Sequence, residues 1–323
     1  MMGKETILVL QPISGELREI VAAEVPEGFR LTTAESTEPG HQKALLAEAD
    51  YVVFWDEGLP AALLESGPRL KLAHKWGVGV ENIDMDSARR RGIQVARTTG
   101  GNAVPVAEFA VGLMLAAGRR IVQAHNSMVA GQWAKNEIWR QSVLLSGKTV
   151  GIVGMGAIGT EVAKRVAGFG CRVLYTNRRR VDEAKEAALG AAFRTLPELL
   201  AEVDFLCLTC PLTAETRGMI GAGELAAMKV GSILVNVARG GIVVEADLVA
   251  ALRTGHLAAA AVDVFEPEPP SPDNPLLHLA NVVVTPHCAS TAFENSAKGV
   301  RHWMRNIGLV ARGEAIPEVD LVP

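Results

Sequence analysis

The chain has 323 residues, 49% hydrophobic and 21% charged, an ordinary globular composition at a length that suits two domains rather than one. Its net charge of −4 argues against nucleic acid as a partner, and no apolar run is long enough to span a membrane. Four scattered cysteines fit a reducing cytoplasm, and the start of the chain carries no leader-like pattern.

In chain order, residues 6–10 (TILVL) and 51–55 (YVVFW) read as buried strands, with helical patterns at 15–25, 42–48 and 60–66. Further apolar pieces follow at 70–74 and 93–96, and the alternation points to a parallel α/β sheet. This first unit, residues 1–99, holds no phosphate-loop motif. After its strand at 70–74 comes Lys75-Trp76-Gly77-Val78-Gly79-Val80. The two glycines let the backbone approach an anion closely, or simply make a turn. Gly100-Gly101-Asn102 then precedes a long helix from about 104, with Asn102 placed as N-cap, Pro105 in the first turn and the glycines as a hinge. Residues 126–145 carry Trp133 and Trp139 without a strong period; they wrap a neighbouring subunit or form a surface loop.

The stretch 149–177 organises the rest. An apolar run at 149–153 leads into Gly154-Met155-Gly156-Ala157-Ile158-Gly159, then a helical pattern and a second apolar run at 171–175. Strand, glycine turn, helix and strand make the G-x-G-x-x-G a dinucleotide-binding fingerprint. Gly154 permits the tight turn, Gly156 lets a pyrophosphate come close, Gly159 lets helix and strand pack, and the helix N-terminus offers its N–H groups to the phosphates. At the end of the second strand, where a carboxylate usually receives the adenine ribose of NAD, stand Asn177 and Arg178-Arg179-Arg180. Guanidinium groups suit a 2′-phosphate, so NADP is the expected cofactor and NAD the second choice, with Arg178 the best single candidate beside Arg179; the alternative is a solvated basic turn.

Strands recur at 205–209, 233–237, 258–264 and 282–285, and a helix at 291–310 returns to the first unit. The expected organisation is a doubly wound nucleotide domain, 100–290, inserted into a smaller substrate domain of residues 1–99 and 291–323. Cys207 and Cys210 lie on one strand-like run with opposite facing, so they read as buried apolar residues, and no metal site is expected. Three polar residues follow three apolar strands: Arg239, Glu268 and His287. Ligands of open α/β sheets bind at such strand ends. Arg239 suits a carboxylate, His287 a proton transfer near neutral pH, and Glu268 the orientation of His287. Asp263 is expected to receive a nicotinamide carboxamide.

Together the stretches KWGVGVENID (75–84), GNAVPVAEFAVGLMLA (101–116), GKTVGIVGMGAIG (147–159), CPLTAETRGMI (210–220), MKVGSILVNVARGGIVVEADLVAAL (228–252), AVDVFEPEPP (261–270) and NVVVTPHCAST (281–291) resemble the D-isomer-specific 2-hydroxyacid dehydrogenase family, in that family's order and over nearly the whole chain. The resemblance implies a Rossmann nucleotide domain inserted into a flavodoxin-like α/β domain, and catalytic roles for Arg239, Glu268 and His287. It implies substrate contacts from Val78 and Gly79, with Asn102 nearby. Nucleotide contacts are implied from Met155, Gly156, Ala157, Ile158, Thr209, Cys210, Pro211, Thr216, Val237, Ala238, Arg239 and Asp263. It also implies a homodimer built through the nucleotide domains.

Asn177 with its arginines resembles the NADP-using glyoxylate/hydroxypyruvate reductase branch. Lys75 stands where phosphoglycerate-type members often carry an arginine and is a candidate for a second anionic group of the substrate. No C-terminal regulatory domain is expected after Pro323. The expected function is therefore an NADP(H)-dependent reductase of a small 2-keto acid, forming the D-2-hydroxy acid. The competing readings are an NAD-dependent D-3-phosphoglycerate dehydrogenase and a non-catalytic dinucleotide sensor that binds other proteins.

Overall fold

A computed structural model describes residues 4–323. Two compact units emerge, one running up to Asn102 and resuming at Ala292–Pro323, the other Ala103–Thr291.

The first unit is built on strands β1 (Glu5–Val9), β2 (Phe29–Thr33), β3 (Tyr51–Phe54), β4 (Leu72–Lys75) and β5 (Gln94–Arg97), all parallel in the order β2-β1-β3-β4-β5. The inner strands are apolar on both faces because helices cover both. Leu8, Val52 and Phe54 join one layer; Ile7, Val9, Tyr51 and Val53 join the other, where Trp303 of helix Ser296–Ala311 is fully buried. β2 has no counterpart in the sequence reading. It is an edge strand, only half covered, and FRLTT needs no continuous apolar run there.

The second unit is a seven-stranded parallel sheet: β6 (Thr149–Val153), β7 (Arg172–Thr176), β8 (Ala191–Phe193), β9 (Phe205–Leu208), β10 (Ser232–Asn236), β11 (Leu257–Val262) and β12 (Val282–Val284), in the order β12-β11-β10-β9-β6-β7-β8. The strand order reverses between β6 and β9, which is where such sheets open a crevice at their carboxyl ends. Helices Ala103–Gly118 and Ala157–Ala167 cover one face, over Ile152, Tyr175 and Cys207. Helices Leu196–Glu202, Ala222–Ala227 and Glu245–Arg253 cover the other, over Leu174, Leu206 and Leu234. Cys207 and Cys210 pack into opposite layers. β8, again at an edge and three residues long, escaped the sequence reading.

Several local expectations need correction. Residues 126–145 are not a surface loop: helix Ile121–Val129 and helix Lys135–Gln141 account for most of them, and neither buries a single residue. Asn102 does not cap the long helix, since its Oδ1 is buried without a hydrogen-bond partner among the described residues. Lys75 is the last residue of β4 rather than part of the loop that follows. The last helix begins later than expected, at Ser296, after a short 3-10 turn at Phe293–Asn295. No helix among the described residues is long and apolar enough to cross a membrane.

Candidate active site

The glycine turn follows β6. Gly154 has φ +105°, and a Cβ there would stand 2.7 Å from the Cys210 nitrogen, so only glycine lets this turn lie against the chain leaving β9. Thr209 Oγ1 donates to the Gly154 carbonyl at 2.8 Å and holds the two together. A Cβ on Gly159 would meet the Gly154 oxygen at 2.2 Å, which seats helix Ala157–Ala167 on β6. Gly156 is different: nothing lies within 4 Å of where its Cβ would be. It begins that helix with no side-chain cap, so the first N–H groups face open space beside an exposed Ala157. A cradle of this form fits a dinucleotide pyrophosphate.

At the end of β7, Asn177 Oδ1 accepts the Met155 N–H at 2.6 Å. Arg180 does not stand with its two neighbours. Its Nε and Nη2 donate to Glu186 at 2.8 and 2.7 Å, and Tyr175 OH donates to the same carboxylate at 2.5 Å. Arg178 and Arg179 are exposed and make no ion pair among the described residues. Beyond β9, Cys210 is half-buried, Pro211 is exposed, and Thr216 Oγ1 donates to the Pro211 carbonyl at 2.7 Å, closing that turn.

Three strand ends carry the polar residues. After β10, buried Asn236 accepts the Ala238 N–H on Oδ1 and donates from Nδ2 to the Arg239 carbonyl, both at 3.0 Å. Val237 and Ala238 are thereby tucked into the fold, and Arg239 leaves it in extended conformation, its Nη1 donating to the Ala238 carbonyl at 2.7 Å. The next residue, Gly240, must be glycine, because a Cβ would stand 2.1 Å from the Phe265 carbonyl carbon. That contact presses the Arg239 turn onto the loop that follows β11. In this loop Glu268 Oε1 accepts the Phe265 N–H at 2.9 Å, and Oε2 accepts from His287 Nδ1 at 2.7 Å.

His287 sits after β12 with φ +50°, a left-handed conformation uncommon outside glycine. Asp263 imposes it. The Asp263 carbonyl accepts the His287 N–H at 2.7 Å. Its carboxylate accepts from Thr285 Oγ1 at 2.6 Å, Cys288 N–H at 2.9 Å and Ala289 N–H at 3.0 Å. At 1% exposure, Asp263 is a buried organiser of the histidine turn, a role its place in the sequence did not disclose.

In the first unit, Lys75 is 8% exposed. Its Nζ bonds to the Trp55 carbonyl and to Asn82 Oδ1, at 3.3 Å for the latter, and lies 5.5 Å from the centre of the Phe54 ring. It is a tethered, buried cation and not a projecting anion ligand. Val78 and Gly79 lie in a half-exposed loop, pinned where Thr98 N–H donates to the Gly77 carbonyl at 2.9 Å.

Residues 111–289 match the family described as D-isomer specific 2-hydroxyacid dehydrogenase, NAD binding domain. A glyoxylate reductase of Korarchaeum cryptofilum is 38% identical over 95% of this chain and 94% of its own. The chain belongs to the D-isomer specific 2-hydroxyacid dehydrogenase family. A D-3-phosphoglycerate dehydrogenase of Archaeoglobus fulgidus is 42% identical over 89% of this chain but 54% of its own length. Among solved structures, the TT0316 protein of Thermus thermophilus superposes with a TM-score of 0.85 at 32% identity, covering 98% of this chain and all of that one.

The electrostatics of this dehydrogenase are those of a coupled acid and base. The Glu268 hydrogen bond raises the His287 pKa above its ordinary value; burial and the Arg239 charge oppose this without cancelling it. Burial pushes the Glu268 carboxyl up, but the His287 and Phe265 hydrogen bonds and the Arg239 charge bring it below the usual range. Arg239, Glu268 and His287 are therefore within electrostatic reach of one another. By contrast, burial pushes the Cys207 thiol up to about 12 and that of Cys210 to about 11, which leaves both as inert packing groups. Among the described residues no cluster of His, Cys, Asp or Glu is arranged to hold a metal ion.

Proposed function

We propose that this dehydrogenase reduces a small 2-keto acid of the glyoxylate or hydroxypyruvate type, with NADPH preferred over NADH. The observation that carries the proposal is the 2.7 Å bond from His287 Nδ1 to Glu268, with Arg239 in electrostatic reach of both. Gly154–Gly159, with Arg178 and Arg179, would hold a nicotinamide cofactor, which would supply the hydride when bound. The remaining work belongs to the chain. The Arg239 guanidinium holds the substrate carboxylate and polarises the neighbouring carbonyl. His287 uses Nδ1 to bond Glu268, so Nε2 is the atom that hands a proton to the developing alkoxide. Glu268 stabilises the imidazolium and fixes its orientation.

The choice of acid follows the glyoxylate reductases among the similar proteins, one of which is matched over 94% of its length. Lys75 lends no support to a second anionic group on the substrate, because it is buried and tethered. Two helices that bury nothing, with Trp133 at 78% and Trp139 at 74% exposure, support a homodimer through the second unit. Four free cysteines are in keeping with the cytoplasm.

The deciding experiment follows oxidation of NADPH and NADH across glyoxylate, hydroxypyruvate, pyruvate, 2-ketogluconate, phenylpyruvate and phosphohydroxypyruvate. Fast NADPH turnover with glyoxylate or hydroxypyruvate is the expected result. Preference for NADH with phosphohydroxypyruvate would transfer the assignment to the phosphoglycerate type. Tight cofactor binding without turnover of any acid would make the chain a sensor.

A further inference from the structure

The chain doubles back beyond β7, and the bonds that hold this return decide where one further cation goes. Arg180 and Tyr175 clamp Glu186, which docks helix Glu183–Leu189 beside the strand. Asp182 starts that helix by accepting the Lys185 N–H at 2.8 Å. From there the Lys185 side chain runs back to the glycine turn, and its Nζ lies 3.4 Å from the Met155 carbonyl. Asn177 holds the other end of the same residue by accepting its N–H. Met155 is thus bracketed by the residue that follows β7 and by an ammonium group from the next helix.

That ammonium is poised for a ligand. One long bond to a neutral carbonyl leaves two of its three protons unengaged. No carboxylate forms an ion pair with it among the described residues: Asp182 caps the helix, Glu186 is clamped by Arg180, and Glu183 is exposed. The end of the second strand in such a fold receives the adenine ribose. Here that place has an amide in Asn177 and an ammonium beside it, where a carboxylate is usual.

Building on the NADPH reading above, we infer that Lys185 is the specificity-determining ligand of the 2′-phosphate on the adenine ribose, with Arg178 and Arg179 completing the recess. A compact, strongly charged ammonium suits a phosphate dianion, and its tether to Met155 keeps it at the ribose rather than in solvent.

The test is calorimetric titration of the full chain with adenosine 2′,5′-bisphosphate and with 5′-AMP, so that no turnover is involved. The wild type is expected to bind the bisphosphate more tightly. Lys185→Met is expected to weaken bisphosphate binding by about tenfold, the usual worth of a hydrogen bond to a charged group, with 5′-AMP binding unchanged; Lys185→Arg should recover part of the loss. If the wild type shows no preference for the bisphosphate, the NADPH reading falls and this inference with it. If the wild type prefers it and Lys185→Met keeps the full preference, the inference about Lys185 falls and the arginines alone carry the selectivity. Equal weakening toward both ligands would show that Lys185 only braces the glycine turn, and would also overturn the inference.

Discussion

Asp263 grips His287 from behind: its carbonyl takes the His287 N–H at 2.7 Å, while its carboxylate takes Thr285 Oγ1 and the N–H groups of Cys288 and Ala289. Every group around that carboxylate is a donor. Asp263→Asn keeps the volume and replaces one acceptor oxygen with an NH2 that must face a donor. Leaving such a buried group unmatched costs roughly 1–3 kcal/mol. The left-handed turn of His287 should also relax once its grip is weakened. Thermal unfolding should show a lower midpoint and the assay a lower kcat. Native stability together with native kcat would mean that Asp263 does not set the histidine's position.

The His287–Glu268 pair makes a signed prediction for pH. Reduction needs protonated His287, whose pKa the Glu268 hydrogen bond raises above 6.5. The kcat/KM for reduction should hold up to the ordinary histidine value and fall as pH climbs through the raised one. Glu268→Gln removes the negative charge, so the falling limb should move to lower pH and the plateau should drop. Stability follows the same sense. The contribution of His287 is complete below its ordinary value and lost as pH rises through the raised one. That of Glu268, whose pKa is lowered, is present above the ordinary carboxylate value and lost as pH falls through the lowered one. A pH–rate profile for the wild type and the variant checks both statements; an unmoved limb in Glu268→Gln would detach Glu268 from the proton donor.

Parts of this site can be read from the chain because they follow from backbone geometry. Gly154, Gly156 and Gly159 stand at fixed spacing between a strand and a helix, where a turn calls for glycine at 154 and a close contact at 159, and the face beside Gly156 stays open. Arg239, Glu268 and His287 are polar residues directly after apolar strands. Other features depend on what a distant segment brings back, and spacing cannot show that. Arg180 looks equivalent to Arg178 and Arg179 until helix Glu183–Leu189 returns Glu186 to it. Lys75 looks like a loop cation until Trp55 and Asn82 close over it. β2 is a half-covered edge strand without an apolar run, and β8, at the other sheet's edge, is only three residues long.

The pair Gly240 and Phe265 offers a steric test of catalytic positioning. A methyl group at residue 240 would stand 2.1 Å from the Phe265 carbonyl carbon and 2.3 Å from its oxygen, so the backbones must separate. Arg239 lies one residue before the contact and Glu268 three residues after Phe265. Displacement of about 1 Å in such groups costs on the order of a hundredfold in rate. Gly240→Ala should therefore lower kcat/KM by about that factor. Gly223→Ala, in helix Ala222–Ala227 with nothing within 4 Å of the added carbon, should leave activity unchanged and serve as the control. Equal activities in the two variants would show that the turn carrying Arg239 tolerates movement.

The helices Ile121–Val129 and Lys135–Gln141 and the link between them carry a heavy load of exposed apolar side chains, with Val129 at 74% exposure joining Trp133 in the link and Trp139. Helices that bury nothing gain little from forming unless another surface covers them. A second copy of this chain is the proposed cover, and it makes the oligomeric state the quantity to measure. Light scattering should give a mass near twice the 34.3 kDa of one chain for the wild type. The double variant Val129→Glu, Trp133→Glu should shift it toward a single chain, because two carboxylates buried in an apolar interface would go unpaired. The wild-type unfolding midpoint should also rise with protein concentration, since association stabilises only the folded form, and the variant's should not. A wild-type mass of one chain at micromolar concentration would remove the dimer and leave the two tryptophans in need of another partner.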